Sequence, residues 1–197
     1  MIDDYKRKIK IEKFFQDGAN IKIGNPSDHI AYAEFVRYFK DRETITRHDL
    51  VIGINFTYGW MPTIFEFQSD QFSEAVVILN KTKDGILPTS TELELLRGLF
   101  NNSLVGTSKL LHFVNPNLVA IWDSRVYRYL NGNEPHGYRI GNIESFLDYL
   151  MFCTYLTKQE GYDKIHSSIE DKIGYKISKL RSAELIMYTY GGTEKSR

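Results

Sequence analysis

Residues 104–130 of the chain read LVGTSKLLHFVNPNLVAIWDSRVYRYL. Gly106 falls in a short turn-like segment, and Lys109 follows it at the beginning of an apolar run. An Asn-Pro break separates this run from Asp123, which directly precedes a second, basic segment. The stretch predicts two successive helices, the first with a lysine in its first turn and the second with an aspartate at its start.

The residues before this stretch predict a helical partner for its first helix. A helix at about 91–102, the turn NSLVGT and a helix that begins near Ser108 would form a pair joined by a tight connection. Gly106 would supply the conformational freedom of the turn. The backbone N–H groups of Gly106, Thr107 and Ser108 would then face outward, where such groups can hold a phosphate.

Helical periodicity dominates the rest of the chain. Apolar residues recur at i, i+3, i+4 and i+7 within residues 32–39 and again within 143–151, where Gly161 is expected to end the segment. Thr89 and Glu92 are spaced as a capping box. Further helices are expected at about 46–57, 70–80, 163–173 and 178–190. NIKIGNP at 20–26 is too short and isolated to build a sheet, so we predict an all-α fold.

Length and composition are typical of a globular protein that needs no cross-link. A chain of 197 residues, 42% of them hydrophobic, can bury roughly 70% of its unfolded surface. It forms one compact multi-helix domain over residues 1–197, either undivided or built as two lobes around a cleft. The single cysteine, Cys153, excludes a disulfide framework and a four-cysteine metal or iron–sulfur site, and its apolar helix predicts an inert core thiol. We expect neither a metal nor a cofactor.

The charge pattern bears on partners and location. The 25 basic and 25 acidic residues cancel, which argues against a protein that coats nucleic acid non-specifically. No apolar run approaches the roughly 18 residues that a membrane span requires. The first residues, MIDDYKRKIK, carry charges where a signal peptide has its apolar core. We therefore expect a cytoplasmic protein without a membrane partner.

Lys109 and Asp123 each admit two interpretations. A helix N-terminus disfavours a cation, so Lys109 in a first turn would be pushed towards the neutral, nucleophilic amine; otherwise it is a solvated surface lysine. Asp123 is well placed to cap the helix that follows it. A capping carboxylate that also points into a cleft can take part in chemistry.

The same stretch resembles the core of the helix-hairpin-helix DNA glycosylase superfamily. That family has a glycine hairpin, a lysine in its bifunctional members, an apolar helix and then Val-Asp-Thr-His-Val-x-Arg with a catalytic aspartate. Lys109 and Asp123 match the family's lysine and aspartate, and Ser124 to Arg128 follow the aspartate in the same manner. Val105-Gly106-Thr107 stands where Gly-Val-Gly is usual. The resemblance implies a helix-hairpin-helix and an active site at about 91–130.

The activity implied by this resemblance is cleavage of the N-glycosidic bond of a damaged or modified base, in DNA repair or antiviral defence. Asp123 would oppose the positive charge that develops on the sugar, and Lys109 could attack instead of water to form a Schiff base. The partner would be duplex DNA with a flipped base. The alternative is a non-catalytic helical module that binds DNA or a protein on the same scaffold.

Further residues are candidates for the pocket and for DNA contacts, each with a structural alternative. His112 would assist proton transfer or be a satisfied core histidine, and Trp122 would wall the pocket or anchor the core. Tyr58, Trp60 and Met61 precede Pro62 and are candidates for an exposed wedge or for packing. The candidates for phosphate contacts are basic residues of two segments that solvated surface charge explains equally well: Arg125, Arg128, Lys176, Lys179 and Arg181.

Overall fold

The computed structural model describes residues 2–24, 26–61 and 70–192. These residues form twelve α-helices and no strand, which confirms the predicted all-α class. The chain divides into two compact units. We call Ser27–Ile121 the central unit, and Met1–Pro26 with Trp122–Arg197 the terminal unit.

The central unit is assembled around one deeply buried helix. Its five helices are α3 (Pro26–Lys40), α4 (Arg47–Gly59), α5 (Phe72–Lys83), α6 (Ser90–Leu99) and α7 (Leu104–Val114). Helix α7 packs against α4, α5 and α6 and buries all of its eleven residues except Val105 and Lys109. A helix that is apolar nearly all round is stable only inside a core. The apolar run of the opening stretch is therefore the core element of this unit.

The terminal unit has a second helix of the same kind. Its helices are α1 (Ile2–Lys8), α2 (Ile11–Ala19), α8 (Ser124–Asn131), α9 (Gly137–Ile140), α10 (Ile143–Leu156), α11 (Tyr162–Ile173) and α12 (Lys179–Tyr190). Helix α12 buries every residue from Leu180 to Met187 and packs against α2, α8, α10 and α11. Cys153 of α10 is fully buried and burial raises the pKa of its thiol, as expected for an inert core residue.

The local sequence signals located most helices. The helices expected at about 46–57, 70–80, 163–173 and 178–190 are confirmed by α4, α5, α11 and α12, with ends that differ by three residues at most. Thr89 and Glu92 form the predicted capping box of α6. The role given to Gly161 is wrong, because α10 already ends at Leu156 and Gly161, with φ 85°, is the residue that precedes α11. Among the described residues no helix is long and apolar enough to cross a membrane.

A close backbone contact joins the end of α12 to the start of α8. A Cβ atom at Gly191 would lie 1.9 Å from the backbone oxygen of Arg125. The carbonyl oxygen of Gly191 also accepts a hydrogen bond of 2.9 Å from Nε of Arg128. Glycine is required here because a side chain would have no room. Its backbone conformation is not the reason, since its φ of −89° is open to any residue.

We expect Gly191→Ala to lower the free energy of unfolding by about 1–3 kcal/mol or more, because the atom it meets belongs to the backbone and cannot rotate away. Urea denaturation of the parent, Gly191→Ala and Gly192→Ala measures the free energy of unfolding of each. Gly192→Ala is the matched control, since its Cβ would meet nothing nearer than 3.7 Å, and its effect should stay within about 0.5 kcal/mol. Equal effects of the two substitutions would contradict the close-approach account.

Candidate functional site

Asp123 is the N-cap of α8, and one of its two carboxylate oxygens does the capping. Oδ1 accepts hydrogen bonds of 2.9 Å from the backbone N–H groups of both Arg125 and Val126. The residue has extended backbone and is only 8% exposed. Within residues 2–24, 26–61 and 70–192 we find no donor to Oδ2. The predicted cap is confirmed, and it leaves the second oxygen available for another partner.

The residue before Asp123 fixes the position of this cap. Trp122 is fully buried, and its indole Nε1 donates a hydrogen bond of 2.8 Å to the backbone oxygen of Ile140. Its ring lies 5.0 Å from the ring of Tyr149 and 5.9 Å from that of Tyr127, between centroids. A buried indole whose N–H is satisfied is a strong anchor. The structure thus places Trp122 in the core, which agrees with the anchor interpretation.

Lys109 does not lie where the sequence pattern placed it. Helix α7 begins at Leu104, so Lys109 is in the second turn, and the expectation of a first-turn lysine is wrong. The field of a helix terminus falls off within one turn and gives no reason for a neutral amine there. The Nζ atom lies 5.3 Å from the centroid of the Trp60 ring, and a ring face attracts the charged ammonium. This contact favours a cationic Lys109 over a nucleophilic one.

The turn before Lys109 is also displaced from its expected place. Helix α6 ends at Leu99, and the left-handed residues of the connection are Asn101 (φ 51°) and Asn102 (φ 56°). Gly106 lies inside α7, so its assignment to the turn is wrong. A Cβ atom on Gly106 would meet the Phe100 ring at 2.8 Å, which shows that this glycine is needed for packing.

Ser103 is the residue that starts α7, and the sequence reasoning missed it. Its hydroxyl accepts a hydrogen bond of 3.1 Å from the N–H of Gly106. Thr107 and Ser108 are fully buried and donate their hydroxyls to the backbone oxygens of Ser103 and Val105. The backbone N–H groups of Gly106 and Thr107, which we expected to face a phosphate, instead bond the hydroxyl and the carbonyl oxygen of Ser103. A serine three residues before a helical glycine is an N-cap signal that could have located the helix start.

His112 is a satisfied core histidine. It is fully buried, with Nδ1 2.6 Å from the backbone oxygen of Val119 and Nε2 2.8 Å from the hydroxyl of Tyr32. A carbonyl oxygen only accepts, so Nδ1 carries the proton of the neutral ring and Nε2 accepts from Tyr32. Both ring nitrogens are therefore used inside the central unit.

The segment that was a candidate for an exposed wedge or for packing is mostly packed. Tyr58 is 4% exposed and donates a hydrogen bond of 2.8 Å to the backbone oxygen of Phe100, and burial raises its pKa to about 12. Of the two alternatives for Tyr58, the structure therefore agrees with packing. Trp60 is half-buried, with its ring 5.5 Å from that of Phe113, and Met61 is also half-buried. Pro62 and the residues up to 69 lie outside the described residues.

Arg125 differs from the other basic candidates. It is exposed, its guanidinium lies 4.5 Å from the centroid of the Tyr188 ring, and it forms no ion pair with any carboxylate that the structure describes. Arg128, by contrast, bonds the Gly191 carbonyl and the Glu134 carboxylate.

The remaining basic candidates are already paired. Lys176 pairs with Glu170 at 2.6 Å and Lys179 with Asp163 at 2.5 Å, whereas Arg181 is buried against Glu184. Arg125 is thus the best-placed of these residues to meet a phosphate. Lys109 belongs to the central unit and Asp123 to the terminal unit.

Ser182, His166 and Glu170 form an arrangement that resembles a hydrolytic triad. Nδ1 of His166 is 2.9 Å from Oγ of Ser182, and its Nε2 is 3.5 Å from Oε1 of Glu170. The hydroxyl of Ser182 donates to the backbone oxygen of Lys179 and is fully buried. A serine that donates elsewhere is not activated by the histidine. The arrangement therefore holds α11 against α12 and is structural.

Asp49 organises a second polar network, at the start of α4. Its carboxylate accepts hydrogen bonds from Thr46, from Nε of Arg42 at 2.7 Å and from the hydroxyl of Tyr38 at 2.9 Å. Burial alone would raise the pKa of this carboxyl, but the bonds from Thr46, Arg42 and Tyr38 outweigh it and hold the pKa well below its ordinary value.

No group of three or more histidine, cysteine, aspartate or glutamate side chains in the described part of the chain is arranged to hold a metal ion. No family model, curated protein or solved structure matches the chain.

Stability measurements test the role of Asp123 as a helix cap separately from a role of its carboxylate in chemistry. Asn caps a helix about as well as Asp, so Asp123→Asn should unfold within about 0.5 kcal/mol of the parent, whereas Asp123→Ala should lose about 0.5–2 kcal/mol. Thermal and urea denaturation followed by circular dichroism give both values. If Asp123→Ala proved as stable as the parent, the capping account of this residue would be wrong.

Asp49 should contribute to stability in a pH-dependent manner. Because its pKa is lower in the folded state than in the unfolded chain, its contribution is complete above the unfolded pKa and is lost as pH falls through the folded one. We expect Asp49→Asn to lose about 1–3 kcal/mol of unfolding free energy above about pH 5, and less as pH falls below about 4. Asp41→Asn, at an exposed carboxylate beside Arg37, is the control and should change little at any pH. A pH-independent loss in Asp49→Asn would contradict the lowered pKa.

Proposed function

We propose that this protein is a DNA glycosylase in which Asp123 stabilises the deoxyribose as the N-glycosidic bond breaks. The observation that carries the proposal is the geometry of its carboxylate. One oxygen is held by two backbone N–H groups, and the other has no donor among the described residues. Asp123 is also the residue that the sequence resemblance matches to the catalytic aspartate of helix-hairpin-helix glycosylases.

The proposed reaction needs a fixed negative charge. When the bond between C1′ and the base nitrogen breaks, its electron pair leaves with the base and C1′ becomes electron-deficient. A carboxylate fixed in advance opposes this charge without reorganising during the reaction. In our proposal Oδ2 faces the sugar and accepts a proton from the attacking water, whose oxygen bonds to C1′. The departing base takes its proton from solvent.

We assign the attack to water and not to Lys109. An amine forms a Schiff base only in its neutral form. The Nζ atom of Lys109 lies over the Trp60 ring, an arrangement that favours the ammonium, and its place in the second turn of α7 removes the effect of the helix terminus. The resulting activity is base release without strand cleavage.

Contacts with the DNA backbone are assigned to Arg125. It follows Asp123 in the first turn of α8, is exposed and is packed along the Tyr188 ring. A guanidinium supported in this way presents its remaining N–H groups to a phosphate. Because Arg125 lies close to Asp123 in the chain, a phosphate bound to Arg125 would position the adjoining sugar next to the carboxylate.

A second candidate function is a non-catalytic helical module that binds DNA or a protein. The burial of Gly106, Thr107 and Ser108 favours the protein-binding form of this module, because a hairpin that held a phosphate would need accessible donors at the helix start. The formal net charge of zero points the same way. On this alternative Asp123→Asn leaves function unchanged, and Arg125→Glu weakens binding.

We expect the purified protein to release the base from at least one duplex in a set that carries a single oxidised, alkylated or hypermodified base. Mass spectrometry of the free base measures the rate. Asp123→Asn, which keeps the cap, should lower this rate at least about a hundredfold. Asp28→Asn, at an exposed carboxylate in the first turn of α3, is the matched control and should retain the parent rate.

Borohydride should trap no covalent complex in these reactions, because no Schiff base forms. A trapped complex that Lys109→Gln abolishes would contradict the assignment of water as the nucleophile. Failure of the folded protein to release any base of the set, together with DNA binding that Asp123→Asn preserves, would reject the glycosylase and establish the binding module.

A further inference from the structure

A surface groove of about 230 Å³ lies within the terminal unit, among α1, α8, α9 and α10. Three tyrosines line it, namely Tyr5, Tyr127 and Tyr138. Tyr5 and Tyr127 are buried below the groove, whereas Tyr138 is 72% exposed. Asp123 does not line this groove, so it is a feature distinct from the proposed catalytic carboxylate.

Arg139 provides a positive charge in the groove. Its Nε donates a hydrogen bond of 2.9 Å to the hydroxyl of Tyr138, and interactions with Tyr138 and then Tyr127 raise the pKa of the guanidinium. It forms no ion pair with any carboxylate in the described ranges. An arginine held through Nε by one phenol keeps N–H groups that match the oxygens of a phosphate.

The backbone around Arg139 is fixed by the core. Arg139 belongs to the short helix α9, and the next residue, Ile140, accepts the indole hydrogen bond of Trp122 at 2.8 Å. The guanidinium is thus attached to a rigid point and not to a free loop. A site on a fixed backbone loses less entropy when it binds a ligand.

Tyr138 has an exposed ring next to this charge, and the guanidinium carbon of Arg139 lies 5.4 Å from the centroid of that ring. Its ring is parallel to that of His136, with an interplanar angle of 1° and centroids 6.0 Å apart. Large exposed aromatic side chains are otherwise scarce, since most aromatic rings of the described residues are buried or half-buried. An exposed tyrosine next to an arginine is the combination on which single-stranded nucleic acids stack their bases.

The other groove residues are compatible with a planar polar ring. Asn142 uses its side-chain oxygen to cap α10 at 2.7 Å, which leaves its NH₂ group able to donate. Asp4, one of the two acids at the groove, is paired with Lys8 at 2.6 Å. This pairing limits the repulsion that Asp4 would exert on an anion, and Asp148 is the other acid at the groove.

We propose that this groove binds one nucleotide unit, with the phosphate on Arg139 and the base stacked on Tyr138. The volume of about 230 Å³ is below the roughly 300–1,000 Å³ of sites for drug-sized ligands, and a single unit suits it better than a dinucleotide. The unit comes either from a free mononucleotide or from a single strand, since both present the same base and phosphate. The inference stands on residues that take no part in the proposed base excision.

The test measures equilibrium binding of unmodified probes, so that no excision is involved. Thymidine 5′-monophosphate and adenosine 5′-monophosphate are titrated by calorimetry, and a fluorescein-labelled octathymidylate by anisotropy. Arg139→Gln should weaken binding about 10- to 100-fold. Tyr138→Ala should weaken it about 5- to 100-fold, while Tyr138→Phe, which keeps the ring, should stay within about threefold of the parent.

Arg37→Gln, at an exposed arginine of the central unit, is the matched control and should bind like the parent. Binding of both classes of probe through Arg139 and Tyr138 identifies a site for free nucleotides, and binding of the octathymidylate alone identifies a strand site. The proposal is overturned if no probe binds at millimolar concentration, or if Arg139→Gln and Tyr138→Ala bind as the parent does. Loss of octathymidylate binding in Arg125→Gln but not in Arg139→Gln would also reject the groove, and it would leave the proposed glycosylase intact.

Discussion

Two backbone N–H groups at the start of α8 converge on a single oxygen of Asp123. This contact ends the buried segment that runs through Trp122, begins a helix and orients a carboxylate, all with one side chain. The indole of Trp122 holds the preceding backbone against Ile140, and the packing of Gly191 on Arg125 holds the following turn. The orientation of the carboxylate is therefore set from both sides, by a fully buried indole on one side and by a close backbone contact on the other.

The same anchor links Asp123 to the groove that Tyr138 and Arg139 line. Trp122 bonds the carbonyl of Ile140, and Arg139 lies next to Ile140 in α9. Tyr127, whose ring packs against Trp122, lies one helical turn after Asp123 and lines the groove. In our account, the core of the terminal unit thus supports both a carboxylate for a sugar and an arginine for a phosphate. In this account the two groups would bind neighbouring parts of one polynucleotide.

Local signals in the sequence were sufficient for some of these features. Apolar spacing located α4, α11 and α12, and the position of Asp123 before SRVYRYL predicted its cap, because both depend on residues within one or two turns. Gly106 was misplaced because its role depends on the Phe100 ring, and a glycine in a helix interior resembles a turn when only the sequence is read. The true turn uses two asparagines in the left-handed region, which they tolerate better than most residues.

Long-range contacts explain what the sequence did not reveal. His112 meets Tyr32 across 80 positions, and the groove lined by Tyr138 and Arg139 combines residues of α1 with residues of α8, α9 and α10. The spacing of residues along the chain does not reveal such pairs. Sequence patterns instead suggest a catalytic role for a histidine and a surface position for an arginine. The Ser182–His166–Glu170 arrangement is the converse case, in which the residue types of a catalytic triad serve only to pack two helices.

The central claim is that Asp123 opposes positive charge on a deoxyribose, and binding of a charged sugar analogue tests it most directly. Affinities would be compared for two duplexes, one with a cationic pyrrolidine in place of a nucleotide and one with the neutral tetrahydrofuran analogue. The account predicts that the cationic duplex binds at least about a hundredfold more tightly to the parent protein, and that Asp123→Asn removes this preference. Equal affinity of the parent for the two duplexes, or an unchanged preference in Asp123→Asn, would contradict it.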